Sequence, residues 1–169
     1  MADDAVKIRA VVTADAEAIA RIYNYYVTDT IVTFEEEPVS PGEIEARISG
    51  VLSASLPWFV AVRAGEIVGY AYASPWRERR GYRFSVEVTV YLDPDHGRSG
   101  IGSKLYAELL PTLKSAGFHS AMGGIALPNE ASVRLHERFG FEKVAHFHES
   151  GFKFGRWIDV GYWQLVFRH

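Results

Sequence analysis

The stretch with the most chemical content is His96-Gly97-Arg98-Ser99-Gly100-Ile101-Gly102-Ser103-Lys104-Leu105. It lies where a β-branched run gives way to apolar residues at helical spacing, so it reads as a strand-to-helix junction. The first amides of such a helix lack intrahelical acceptors and carry the positive end of the helix dipole. Glycines at 97, 100 and 102 leave the backbone bare, and Arg98 adds a cation. Arg98, Ser99, Gly100, Ile101, Gly102 and Ser103 therefore form a candidate site for an anion of the pyrophosphate type. The plainer alternative is a turn that only starts a structural helix. Two other phosphate loops do not fit. The chain has no Gly-x-x-x-x-Gly-Lys-Ser/Thr and no early Gly-x-Gly-x-x-Gly.

A second candidate is Glu87, the lone acid in Ser85-Val86-Glu87-Val88-Thr89-Val90. A buried acid is costly unless paired or used. A carboxyl whose pKa is raised by burial suits proton abstraction. The alternative is a strand residue facing solvent. The run from Trp76 to Arg83 carries four arginines, and guanidinium groups bind carboxylates bidentately. A solvated basic loop would look the same. His146 and His148 alternate along one strand with no third ligand evident, so they read as structural and no metal site is expected. The absence of cysteine removes thiolate nucleophiles, disulfides and thiolate zinc sites.

These groups must be held by elements the sequence pattern outlines. Val6 to Val11 reads as a first strand. Thr13 caps a helix whose apolar face is Ala16, Ile19, Ala20, Tyr23 and Val27. Thr30 to Glu37 reads as a loop, and Ser40-Pro41 opens a second helix. Trp58 to Arg63 and Ile67 to Ala73 are strands joined by a hairpin turn, and Phe84 to Leu92 is a third long strand. A helix with Ile101, Leu105, Leu109 and Leu113 on one side follows the glycine loop. Ser120 to Leu127 is a strand and Asn129 to Arg138 a short capped helix. Strands at Glu142 to Glu149 and Asp159 to Phe167 close the chain. This order predicts an α/β (α+β) protein: a mixed sheet of about seven strands with helices on both faces, forming one domain over 1–169.

Composition narrows the class. Of 169 residues, 48% are hydrophobic, enough for a sizeable core. A net charge of -3 argues against a general nucleic-acid or membrane-surface binder. The four tryptophans and nine tyrosines are read as core packing, not as a stacking surface. No signal peptide and no apolar run of membrane-spanning length is seen, so a cytoplasmic protein is expected.

The glycine loop resembles the coenzyme A loop of the GCN5-related N-acetyltransferases, Gln/Arg-x-x-Gly-x-Gly/Ala, although Gly97 stands where Gln or Arg is usual. Asn129-Glu130-Ala131-Ser132-Val133-Arg134-Leu135-His136, running into Phe139-Gly140-Phe141, resembles the second landmark of that superfamily. Longer strings are similar to the phosphinothricin and methionine sulfoximine acetyltransferases. They include Ile22-Tyr23-Asn24-Tyr25-Tyr26-Val27, Thr33-Phe34, Ala71-Tyr72-Ala73-Ser74-Pro75-Trp76-Arg77 and Gly151-Phe152-Lys153-Phe154-Gly155-Arg156-Trp157.

The resemblance implies that the sheet is mostly antiparallel. It also implies acetyl-CoA as co-substrate, no metal, and an amine acceptor that is a small amino-acid analogue. It places Glu87 as general base. Val90, Tyr91 and Leu92, with Asn129 and Ser132, would join the glycine loop in holding the coenzyme. His136 stands where many relatives have a tyrosine that protonates the departing thiolate; imidazole could act there as acid or relay, or be structural. Phe34, Arg77, Arg79, Tyr82 and Thr89 would bind the acceptor, and a homodimer is expected. Acceptance of a protein N-terminus or other amine, or binding of acyl-CoA without turnover, are the competing readings.

Overall fold

The structure is a computed structural model that describes residues 4–96 and 99–168. Its seven strands are β1 (Lys7–Ala10), β2 (Trp58–Arg63), β3 (Glu66–Pro75), β4 (Ser85–Leu92), β5 (Ser120–Ala126), β6 (Glu142–Lys153) and β7 (Arg156–Val166). They form one sheet in the order β1-β2-β3-β4-β5-β7-β6. Only β4 and β5 run parallel; the other pairings are antiparallel. The helices are α1 (Ala16–Asp29), α2 (Pro41–Ser53), α3 (Ile101–Ser115) and α4 (Glu130–Arg138).

The alternation of side chains along each strand sorts the core into two layers. Val60 of β2 and Tyr70 of β3 pack with Ile19, Ile22 and Val27 of α1 and Ile44 and Ile48 of α2. Their neighbours Ala61 and Ala71, with Ala73, Val86 and Val88, receive Ile101, Leu105, Leu109 and Leu113 of α3 on the other face. Each such aliphatic side chain, once buried, stabilises the fold by about 1.5–3 kcal/mol. The alanines matter as much as the leucines, because small side chains let α3 lie close to the sheet.

Two boundaries differ from the sequence expectation. Thr13–Asp15 is a short 3-10 turn, and α1 begins only at Ala16. The buried Asp15 carboxylate accepts the Val12 amide and both terminal nitrogens of Arg9 at 2.8 Å. It thereby ties β1 to the start of α1. The last two strands are also longer than expected. Residues 150–157 continue β6 and β7 into a tight turn at Phe154-Gly155, where both φ values are positive (53 and 71). Ala64-Gly65 makes the same kind of turn between β2 and β3 (49 and 79). Paired left-handed residues match the twist of a two-residue hairpin.

The sheet forks at its one parallel junction. Pairing between β4 and β5 runs Ser85↔Ser120, Val86↔Ala121 and Glu87↔Met122, and ends there. Beyond it β4 stays bonded to β3 as far as Leu92, while β5 stays bonded to β7 as far as Ala126. Strands that follow different neighbours must diverge, and the gap between them exposes backbone that a sheet would otherwise satisfy.

Candidate active site

Glu87 is the last β4 residue paired across the fork. It opens into a cleft of about 260 Å³ that Thr89, Val90, Tyr91, Gly124, Asn129 and His136 also line. Burial pushes its carboxyl above the usual carboxylate range, and the Arg77 cation opposes this in part. Gly124 gives it room. A Cβ there would lie 3.0 Å from the Tyr162 ring and 3.3 Å from Glu87 Oε1.

The wall opposite β4 comes from α3 and α4. Asn129 caps α4, its side-chain oxygen accepting the Ser132 amide at 3.2 Å. That leaves its NH2 group to donate to a ligand. His136 is buried, and its Nδ1 lies 2.7 Å from the Ser132 carbonyl. A carbonyl only accepts, so the ring proton is on Nδ1, and Nε2 accepts the Tyr106 O–H at 2.8 Å. Burial lowers the imidazole pKa against the opposing pull of that carbonyl, so the ring is neutral at neutral pH. In this arrangement His136 has no proton free to donate.

The amide-rich end of α3 packs against α4, which borders the cleft. Gly100, left-handed at φ 74, is its N-cap, and no side chain caps it. The first ladder bond is Lys104 N–H to the Gly100 carbonyl at 3.2 Å, so the preceding amides have no helical acceptor. Here the residues divide differently from the sequence expectation. Ile101 is fully buried and offers only its backbone. Gly102 is buried too; a Cβ on it would lie 3.1 Å from Leu135 Cδ2. Its bareness serves the contact between α3 and α4, whereas Gly100 supplies the open backbone. Ser103 Oγ accepts from Arg138 at 3.0 Å. Gly97 and Arg98 lie outside the described residues. Leu92 does not line the cleft: it packs near Gly69 and Gly102, and its carbonyl accepts the Tyr26 hydroxyl.

A second cavity of about 630 Å³ meets the cleft from the other side. Phe34, Trp76, Arg77, Tyr82, Phe147 and Tyr162 line it, and it shares Phe34, Val160 and Tyr162 with the cleft. Trp76 and Phe147 both stand edge-on to Tyr162 at 5.4 and 5.9 Å. Of the predicted acceptor residues, Phe34, Arg77 and Tyr82 are brought together here, and Thr89 lies across the divide in the cleft. Arg79 faces only an outer groove with Trp76, Arg77, Glu78 and Tyr82.

Phe34 sits on an irregular segment that is nonetheless held firmly. Tyr23 hydrogen-bonds Thr33 and Glu35, and Arg47 clasps the Glu35 carboxylate. Lys153 is buried in β6 and donates to the Thr33 carbonyl at 2.8 Å and the Tyr26 carbonyl at 3.3 Å. Gly151 has no side chain because the Phe34 ring fills that space; a Cβ would be 2.2 Å from it.

Sequence reasoning missed Tyr106, Tyr162 and Arg138. Tyr162 was within reach, since Val160, Tyr162 and Gln164 alternate on one face of β7. Tyr106 looks like any apolar helix position, and Arg138 like any exposed arginine.

Comparison with known proteins agrees with this geometry. The profile of the acetyltransferase (GNAT) domain matches residues 8–161. The chain belongs to that family. Within it, the chain groups with the phosphinothricin and methionine sulfoximine acetyltransferases. It is 41% identical to phosphinothricin N-acetyltransferase of Streptomyces viridochromogenes, covering 96% of this chain and 88% of that one. It is 36% identical to the L-methionine sulfoximine/L-methionine sulfone acetyltransferase of Salmonella typhimurium, covering 90% and 89%. A phosphinothricin acetyltransferase of Sinorhizobium meliloti, crystallised with AcCoA, superposes with a TM-score of 0.93 at 36% identity, over 95% of this chain and 88% of that one. Among the described residues no helix is long and apolar enough to cross a membrane.

Proposed function

We propose that the protein moves the acetyl group of acetyl-CoA to the α-amine of a small amino-acid analogue, of the phosphinothricin or methionine sulfoximine/sulfone type, with Glu87 as general base. The observation that carries this reading is the meeting of cleft and cavity at Phe34 and Tyr162 beside Glu87.

The cleft fits the coenzyme. The uncapped amides after Gly100 suit its pyrophosphate, and Arg138, held at Ser103, adds a cation at the same helix end. Asn129 and Ser132 border the cleft, and the Val90 amide, on the side of β4 that β5 has left, offers a donor near the fork. When bound, acetyl-CoA supplies an electrophilic thioester carbonyl. The protein's own work is then to deliver a neutral amine to it. Arg77 and Tyr82 hold the acceptor's carboxylate and orient its nitrogen toward Glu87. Glu87 removes the ammonium proton, directly or through water, and its raised pKa suits that task. Backbone N–H groups of the fork stabilise negative charge on the carbonyl oxygen as the amine nitrogen bonds to that carbon. The carbon–sulfur bond then breaks, and the coenzyme leaves as a thiolate that takes the nitrogen's second proton through solvent. His136 serves as an acceptor that holds the Tyr106 hydroxyl in the cleft wall and not as the direct acid.

A homodimer of single-domain subunits completes the proposal, and light scattering tests it. For the reaction, purified protein is mixed with acetyl-CoA and a panel of amines, and free thiol is followed. Phosphinothricin or methionine sulfoximine is expected to turn over faster than peptide N-termini. Coenzyme binding with no turnover of any amino-acid analogue would refute the assignment.

A further inference from the structure

Away from the cleft, His146 and His148 are not the isolated pair that their sequence context suggests. Asp159, on the neighbouring strand β7, brings a third ligand atom. Candidate ligand atoms of all three residues lie within 4.8 Å of one another. His146 Nε2 is 2.8 Å from Asp159 Oδ2, and His148 Nδ1 is 3.3 Å from the same oxygen. We propose that His146, His148 and Asp159 bind one divalent transition-metal ion of the zinc type.

Convergence on one oxygen is the first reason. Two imidazoles aiming nitrogens at a single carboxylate oxygen already have the geometry in which a cation can replace the shared protons. Two imidazoles and a carboxylate are ligands that zinc, cobalt, nickel and copper accept, whereas magnesium and calcium prefer all-oxygen sets.

The second reason is that the carboxylate is held in place from behind. The Glu149 amide donates to Asp159 Oδ1 at 2.8 Å, which turns Oδ2 toward the imidazoles. A bulge makes this contact. The β6–β7 register shifts between Phe147 and Gly151, and Glu149 is left-handed at φ 51. Outer hydrogen bonds of this sort orient ligands in known metal sites.

Lys143 is the competing group. Its Nζ lies 2.9 Å from His146 Nδ1 and must release that nitrogen when a metal takes Nε2. The ammonium also stands over the Trp163 ring at 5.3 Å and keeps that partner. The site is distinct from the acceptor cavity but shares its hairpin. Ala145 and Phe147 alternate with His146 and His148, so they face the cavity from the opposite side of β6.

The test uses the untagged full chain, freed of metal by chelation. Zn2+ titrated calorimetrically is expected to bind at one ion per chain with micromolar affinity, and Co2+ is expected to develop visible d–d bands. His148→Ala removes a largely exposed side chain without threatening the fold and should weaken binding roughly tenfold or more. Asp159→Asn should do the same, and Lys143→Gln should tighten it. Millimolar Mg2+ should not compete. Absence of saturable Zn2+ binding would overturn the proposal. So would an affinity unchanged in both His148→Ala and Asp159→Asn, since the ion would then sit elsewhere.

Discussion

The two sides of the active site are built from different materials. The side proposed for the coenzyme is mostly backbone: the forked edges of β4 and β5, the uncapped start of α3 and the cap of α4. The side proposed for the acceptor is mostly side chains, gathered from the Phe34 segment, the Trp76–Tyr82 loop and the β6–β7 hairpin. Backbone geometry follows from the fold and changes little with sequence, so one donor can be kept. Side chains on loops and a hairpin can change without disturbing the sheet, so the acceptor can vary. Glu87 stands where the two meet.

That contrast can be broken most sharply at the boundary. Glu87→Gln should lower kcat/KM at neutral pH by roughly 10²-fold while leaving coenzyme affinity in place. The pH profile gives the sign. Because the Glu87 pKa is raised, wild-type activity should fall as pH drops through a value above the ordinary carboxylate range, where the base becomes protonated. The variant should lose that acid limb. A near-normal rate would remove Glu87 from the mechanism.

On the acceptor side, Arg77→Gln should raise the acceptor KM about tenfold, the scale of one charge-assisted hydrogen bond. The coenzyme KM should hold steady. A change in both constants would mean that the two sides are not separable.

Tyr106→Phe tests the wall behind the coenzyme. It leaves His136 Nε2 buried without a donor, which should cost about 1–3 kcal/mol of stability, visible as a lower Tm. An unchanged Tm would show that the pair carries no structural weight.

The smallest effect is expected at Arg138. It is exposed, and a charge at a helix end contributes about 0.3–1 kcal/mol at low salt. Arg138→Gln should therefore raise the coenzyme KM only a few-fold, with the acceptor KM unchanged, and the effect should fade in high salt.

Much of the local geometry at the α3 and α4 starts was legible in the chain. Glycine spacing, an asparagine cap and apolar periodicity are local signals, and local backbone geometry is what they encode. Spacing could not show that Gly102 also faces a packing partner, because its neighbour Leu135 lies on another helix. Less of the acceptor side was legible. Arg77 and Arg79 look alike in sequence, yet only Arg77 reaches the cavity, because loop direction is set by what the loop lies on. Tyr106 and His136 meet only because α3, which lies on β2, β3 and β4, and α4, which lies on β5, come together across the sheet.

The sequence by itself determined the element order, the two faces of the sheet, the bare amides at Gly100 and the lone acid at position 87. Periodicity and turn chemistry act over a few residues and are written in the residues themselves. Only the tertiary structure decided that β4 and β5 part at Glu87, that Tyr162 and Gly124 frame it, and that Asp159 joins His146 and His148. Each of these depends on which strand lies beside which, and that is settled by burial across the whole sheet and not by any local run of residues.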